Sequence, residues 1–242
     1  MEAVILAGGL GTRLSSRLSD LPKAMAPVAG RPFLEFLLDQ LVDSGCARAI
    51  LSVGHLRHVI MDAFERSYRR MAIDYAVEEN PLGTGGAIRL ALGQVHHADA
   101  LVLNGDTYLQ ADFPALLDAH RHAGRAITMA AAWVEDRARY GGLIVEDGHV
   151  SGFAEKGIAG PGWINAGVYA MNRDFPWPRD VGERFSVETD LLVPHLSRLN
   201  PLAFLCSGYF VDIGIPQDLD RAQAELPGRV LPSQGSSPVD GE

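Results

Sequence analysis

The chain has 242 residues, with 21 Lys and Arg against 30 Asp and Glu, a formal charge of −9. That length accommodates one large α/β domain or two small ones, and the acidic balance argues against a nucleic-acid partner, which would call for a basic stripe. Cys46 and Cys206 are too few and too far apart for a disulfide framework or a zinc site. No run resembles a signal peptide or a membrane span, so a cytoplasmic chain with no membrane partner is expected.

The first element is Ala3-Val4-Ile5-Leu6, an apolar run of the kind that forms a buried parallel strand. It leads straight into Ala7, Gly8, Gly9, Gly11, Thr12 and Arg13. Three glycines in four positions leave backbone amides unshielded and free to turn, a geometry suited to polyphosphate. Arg13 adds a planar fork for phosphate oxygens and Lys23 a mobile point charge. Two familiar phosphate loops fail here. The dinucleotide fingerprint needs glycine where Leu14 stands, and no G-K-[ST] tripeptide occurs.

Farther along, Pro32 opens a helical pattern with Phe33, Phe36, Leu37 and Leu41 on one face and Gly45 as its stop. Residues 49–53 read as a second strand, 55–70 as a helix, and Ile73, Tyr75 and Val77 as a third strand. A helix over 84–93 and a strand over 100–103 continue the alternation, which points to βαβ units and a parallel sheet. Past Asp106 the spacing predicts a helix over 114–122 and a strand over 127–134. A hairpin follows, with strands over 143–145 and 149–153 joined at Asp147-Gly148. A helix over 188–199, strands over 202–205 and 209–211, and a helix from Pro216 to Leu226 complete a single domain over 1–226. Residues 227–242, rich in Pro, Gly and Ser, read as a disordered tail. The eight histidines are expected at the surface, and Trp133, Trp163 and Trp177 in packing roles.

Three other constellations carry chemistry. Glu78-Glu79-Asn80-Pro81-Leu82-Gly83-Thr84-Gly85-Gly86 is a second glycine-rich loop after a strand. Glu78 can only accept hydrogen bonds, and the plain reading is a solvated carboxylate beside Glu79. Asn104-Gly105-Asp106 and Phe210-Val211-Asp212-Ile213-Gly214 each place an acid at a strand end, where hard oxygen ligands for Mg²⁺ would complete a nucleotide site. A sugar phosphate needs bidentate groups for hydroxyls and an ammonium for phosphate, roles that Glu155, Asn165 and Lys156 fit, while Gly141 permits close backbone approach. Residues 185–188 read as another pocket or helix-start segment.

G-G-x-G-T-R followed by P-K resembles the N-terminal motif of the sugar-1-phosphate nucleotidyltransferases, and the segments above follow that family's order over residues 1 to about 225. The resemblance implies a Rossmann-like three-layer α/β/α fold (GT-A-like), with a mostly parallel central sheet and a small added antiparallel β region. It implies catalytic roles for Arg13, Lys23 and Asp106, with Mg²⁺ on Asp106 and Asp212. The nucleotide would lie on Leu6, Ala7, Gly8, Gly9, Gly11, Thr12, Glu78, Pro81, Gly83, Thr84 and Asn104, and the sugar phosphate on Gly141, Glu155, Lys156 and Asn165. Glu78 matches the family position that reads the base edge, where a carboxylate suits the adjacent N1–H and N2–H₂ donors of guanine. Within the family, Pro22–Pro27, Arg31–Phe36 and Pro81–Ile88 look most like the heptose 1-phosphate guanylyltransferases. The expected reaction is then GTP plus D-glycero-α-D-manno-heptose 1-phosphate giving GDP-heptose and pyrophosphate, with a homo-oligomer left open. One departure is Ala24, where the family pattern has proline; its loss should soften the loop that carries Lys23. The rivals are a uridylyl- or thymidylyltransferase for a hexose or N-acetylmuramate 1-phosphate, and a non-catalytic GDP-sugar sensor. Such a sensor would lack a charge of the first loop, whereas Arg13, Lys23 and both acids are present.

Overall fold

The computed structural model describes residues 1–9 and 21–229. Gly11, Thr12 and Arg13, and most of the tail expected after residue 226, lie outside those residues. The strands in chain order are β1 (Glu2–Leu6), β2 (Pro27–Val28), β3 (Arg31–Pro32), β4 (Arg48–Val53), β5 (Ser67–Tyr68), β6 (Met71–Val77), β7 (Asp99–Asn104), β8 (Thr107–Leu109), β9 (Ile127–Val134), β10 (Gly142–Glu146), β11 (His149–Ala154), β12 (Gly162–Asn172), β13 (Leu202–Cys206) and β14 (Phe210–Asp212). The helices are α1 (Phe33–Asp43), α2 (Arg57–Phe64), α3 (Gly83–Leu92), α4 (Phe113–Ala123), α5 (Val193–Leu199) and α6 (Pro216–Glu225).

Ten strands form one sheet in the order β10-β11-β13-β9-β12-β7-β1-β4-β6-β5. The block β7-β1-β4-β6 is parallel throughout, as the βαβ spacing requires. The added antiparallel strands are not a separate layer: β12 pairs antiparallel with both β7 and β9 and carries the same sheet onward. Apolar residues fill both faces of the central strands. Ala3 and Ile5 join the core under α1, α2, α4 and α6, while Val4 points into a second core under α3 and α5. Helices therefore cover both sides, giving three layers. Among the described residues no helix is long and apolar enough to cross a membrane.

Local chemistry accounts for the boundaries. Asp112 caps α4 by accepting from Ala115 N at 2.9 Å, and Gly124 ends that helix at φ 60°. Asp147 (φ 49°) and Gly148 (φ 76°) make the tight turn between β10 and β11. The helix expected over 55–70 is shorter. It stops at Phe64, Glu65 takes a positive φ of 47°, and Ser67–Tyr68 pairs with β6 instead. Tyr68 is drawn to that edge by its bonds with Asp39 and Arg31 and by its ring contact with Phe64.

Residues 188–199 are not one regular helix. A π-helical turn, Val187–Leu192, capped by Ser186, runs into α5, whose Pro194 lies in the first turn and whose His195 leaves helical geometry. The whole of β12 was illegible as a strand because Asn165-Ala166-Gly167 interrupts its apolar alternation. Trp133 stands exposed at the end of β9, in edge contact with Trp163, rather than in a packed interior.

His120 departs from the expected surface position. It is 1% exposed and bonded to Thr128 Oγ1 at 3.0 Å and Asn172 Oδ1 at 2.9 Å. Burial lowers its pKa from the ordinary 6.5. The unfolded chain therefore takes up this proton first, and stability present above pH 6.5 is lost as pH falls from there toward the lowered folded value. His120→Gln should accordingly show a shallower fall in melting temperature between about pH 7 and pH 5 than the wild type. Parallel profiles in a thermal-denaturation series would refute that origin.

Candidate active site

The carboxyl ends of β1, β4, β6 and β7 open into residues 7–9, 54–55, 78–79 and 105–106, and these surround a cavity of about 770 Å³. The chain adds β4 and β6 on one side of β1 and then crosses to β7 on the other, and ligands of open α/β sheets sit at that kind of switch. The residues expected to hold a nucleotide, Leu6, Ala7, Gly8, Gly9, Glu78, Pro81, Gly83, Thr84 and Asn104, all line it where they are described. Close backbone contacts shape the floor. Gly105 N donates to Leu6 O at 3.0 Å, and a Cβ on Gly105 would stand 2.6 Å from that oxygen. Glu78 is held in place by two donors, Ser52 Oγ at 3.0 Å and Leu82 N at 3.1 Å. Its fixed carboxylate keeps unused lone pairs that can accept from a ligand.

Lys23 reaches this cavity from a short 3₁₀ turn, Lys23–Met25, rather than from a soft loop. Met25 N donates to Pro22 O and Ala26 N to Lys23 O, and Ala24 is buried. The turn thus supplies the restraint expected of the missing proline. Lys23 Nζ lies 2.5 Å from Asp106 Oδ2 and 3.5 Å from Asp212 Oδ1. The two acids come from distant parts of the sequence because β14 pairs antiparallel with β8, putting Asp212 opposite Thr107. Ile213 N also donates to Asp106 O at 3.0 Å. Burial, then the neighbouring Asp106, pushes the Asp212 carboxyl up from its ordinary value; Lys23 and the Gly214 N–H oppose that shift.

A second cavity of about 370 Å³ adjoins the first, and Thr84 and Asn104 line both. Lys156, Asn165 and Asp212 line the smaller one. A bulge in the β12–β9 pairing between Asn165 and Tyr169 lets Gly167 turn at φ 66°. Asn165 is oriented by donating to the Tyr169 hydroxyl at 2.8 Å and accepting from Gly167 N at 3.1 Å. Gly141 and Glu155 are not among the lining residues. Glu155 is exposed, and Gly141 packs on the Ala154 carbonyl and the Lys156 stem.

Sequence reasoning missed His55 and Arg57 in the larger cavity and Thr107 and Arg139 around the smaller one. Glu188, which also lines the smaller cavity, is readable from the sequence as part of the 185–188 pocket candidate. Arg139 is not: its place depends on a 2.6 Å bond to the buried Asp218 of α6.

The nucleotidyl transferase family model matches residues 2–228. A D-glycero-α-D-manno-heptose 1-phosphate guanylyltransferase from Aneurinibacillus thermoaerophilus is 38% identical, the match covering 93% of this chain and 98% of that one. Its counterpart from Campylobacter jejuni is 38% identical over 90% of this chain and 96% of its own. The crystal structure of HddC from Yersinia pseudotuberculosis complexed with GMP-PN superposes with a TM-score of 0.81 at 36% identity, covering 93% of this chain and 99% of that one. With a matching motif order, a matching sheet and near-complete coverage, the chain belongs to the nucleotidyl transferase family.

Proposed function

We propose that this enzyme transfers GMP from GTP to D-glycero-α-D-manno-heptose 1-phosphate, giving GDP-heptose and pyrophosphate. The observation that carries this reading is the pair of adjoining cavities, the larger lined by Lys23 and Asp106 and the smaller by Asp212, with Lys23 ion-paired to both acids. The larger offers a fixed acceptor, Glu78, for the guanine donors, and the smaller offers Lys156 and Asn165 for the phosphate and hydroxyls of the sugar. The two heptose 1-phosphate guanylyltransferases at 38% identity support the choice of base and sugar. Such a product would feed capsule, S-layer or lipopolysaccharide glycans from the cytoplasm.

The sugar phosphate oxygen attacks the α-phosphorus of GTP. One O–P bond forms as the bond to the β-phosphate oxygen breaks, and the electron pair leaves with pyrophosphate. No protein nucleophile is needed, so positioning and charge neutralisation supply the rate. Lys23 balances charge where the two phosphates meet, and Arg13, outside the described residues, would do so at the leaving group. Two carboxylates that converge on one ammonium are hard oxygen donors already arranged about a cation, which fits Mg²⁺. Held by Asp106 and Asp212, Mg²⁺ would supply charge neutralisation between the nucleotide and sugar phosphates.

Pyrophosphate release across the four nucleoside triphosphates and a set of sugar 1-phosphates tests the assignment. GTP with the heptose 1-phosphate should give the highest kcat/KM; a clear preference for UTP or dTTP would overturn it. Glu78→Gln should lower kcat/KM for GTP by about 10- to 100-fold, the factor matching roughly 1.5–3 kcal/mol for a hydrogen bond to a charged group. Asp106→Asn should abolish turnover while leaving the circular dichroism spectrum unchanged, and near-normal rates would remove the metal assignment. Lys23→Met leaves two like charges facing each other, so its melting temperature in chelator should fall and partly recover in millimolar Mg²⁺. A deficit indifferent to Mg²⁺ would count against a shared cation site.

A further inference from the structure

Among the described residues, the charged side chains that line the smaller cavity are Arg139, Lys156, Glu188 and Asp212. Arg139 is paired with the buried Asp218. Asp212 is engaged by Lys23 and accepts from Gly214 N at 2.7 Å. Lys156 is the cation given above to the sugar phosphate. The Glu188 carboxylate has no hydrogen-bond or ion-pair partner among the described residues.

The backbone that carries Glu188 is, by contrast, held from several sides. Glu188 is the second residue of the π-helical turn Val187–Leu192. Ser186 Oγ accepts from Thr189 N at 3.3 Å, and Asp190 Oδ2 accepts from Ser186 N at 2.7 Å. Val187 N donates to Thr84 Oγ1 at 2.9 Å, and Val187, Leu191 and Leu192 are buried. A fixed turn thus presents a half-buried, uncommitted carboxylate to a cavity. π-Helical turns recur at functional sites, where the extra residue re-aims a side chain.

Two other tasks for this carboxylate fail. It does not join Asp106 and Asp212 in a larger ligand set, since no group of three or more potential metal ligands occurs among the described residues. It has no proton to remove either, because the attacking oxygen belongs to a phosphate that is already ionised near neutral pH. Hydroxyl groups are what remains, and a carboxylate's two oxygens can accept from two neighbouring hydroxyls at once. The acid expected in that role, Glu155, is exposed and outside the cavity lining.

We propose that Glu188 is the residue that reads the sugar, accepting hydrogen bonds from vicinal ring hydroxyls of the sugar 1-phosphate in the smaller cavity. The inference rests on the two-cavity assignment made above.

A cycle of enzyme variants against deoxy sugars tests it. The substrates are heptose 1-phosphate and analogues that each lack one ring hydroxyl. The wild type should lose about 10- to 100-fold in kcat/KM on an analogue missing a contacted hydroxyl, as for a hydrogen bond to a charged group. Glu188→Ala should fall by a similar factor on the parent sugar and lose little more on that analogue, because the contact is already gone. Glu188→Gln keeps one acceptor oxygen and should lie between the two. The KM for nucleotide and the melting temperature should not change in either variant. Wild-type kinetics in Glu188→Ala overturn the proposal. So does a variant that loses as much as the wild type on every analogue, since its defect then comes through structure rather than contact. The cycle uses the nucleoside triphosphate that the wild type prefers, so a wrong base in the functional reading leaves the result for Glu188 standing. A wild type that turns over no sugar 1-phosphate ends both.

Discussion

Everything at the centre of this enzyme is arranged around two carboxylates that repel each other and a cation that allows them to coexist. Two like charges 4 Å apart at an effective dielectric of about 20 repel by roughly 4 kcal/mol. Asp106 and Asp212 share one neighbourhood because Lys23 pairs with both and because β14 fixes one acid against the strand that follows the other. All three side chains retain some solvent exposure, so the net worth of the cluster to stability is small. Its worth is positional: it ties Lys23 and Asp106 of the larger cavity to Asp212 of the smaller one.

The central sheet explains how such distant residues meet. A parallel block gathers four strand ends at one edge, and each end must turn sharply, which is why glycine recurs there. Gly105 is a clear case, since any side chain would collide with the Leu6 carbonyl. The strands beyond β7 continue the same sheet, and Asn165 and Lys156 line the cavity beside the first. A shared sheet holds the two cavities at a fixed distance, and that suits a reaction whose rate comes from alignment.

Much of this was legible in the amino-acid order. The apolar run before Gly8 is uninterrupted, and that marks a strand buried on both faces; the Asp147-Gly148 pair marks its hairpin because few other residues take two positive φ values in succession. Glu78, Asp106 and Asp212 were visible because acids at strand ends follow recurring chemistry. What stayed hidden depends on tertiary partners. Nothing near Thr107 announces a strand, because β8 exists only by pairing with a segment about a hundred residues later. The polar Asn165 and the bulge after it obscured β12 for a local reason: the asparagine makes the bonds to Gly167 and Tyr169 across the bulge, where an apolar residue would continue the alternation. The same holds for His120, whose buried place is set by Asn172 and Thr128 and by nothing in its own helix.

The pairing of β14 with β8 has a consequence for how the protein is made. Synthesis delivers the parallel block first, and those strands can begin to pack while the ribosome is still translating. Asp212 is translated about a hundred residues after Asp106, so a nascent chain that has exposed only the parallel block carries its cleft with one acid of the pair.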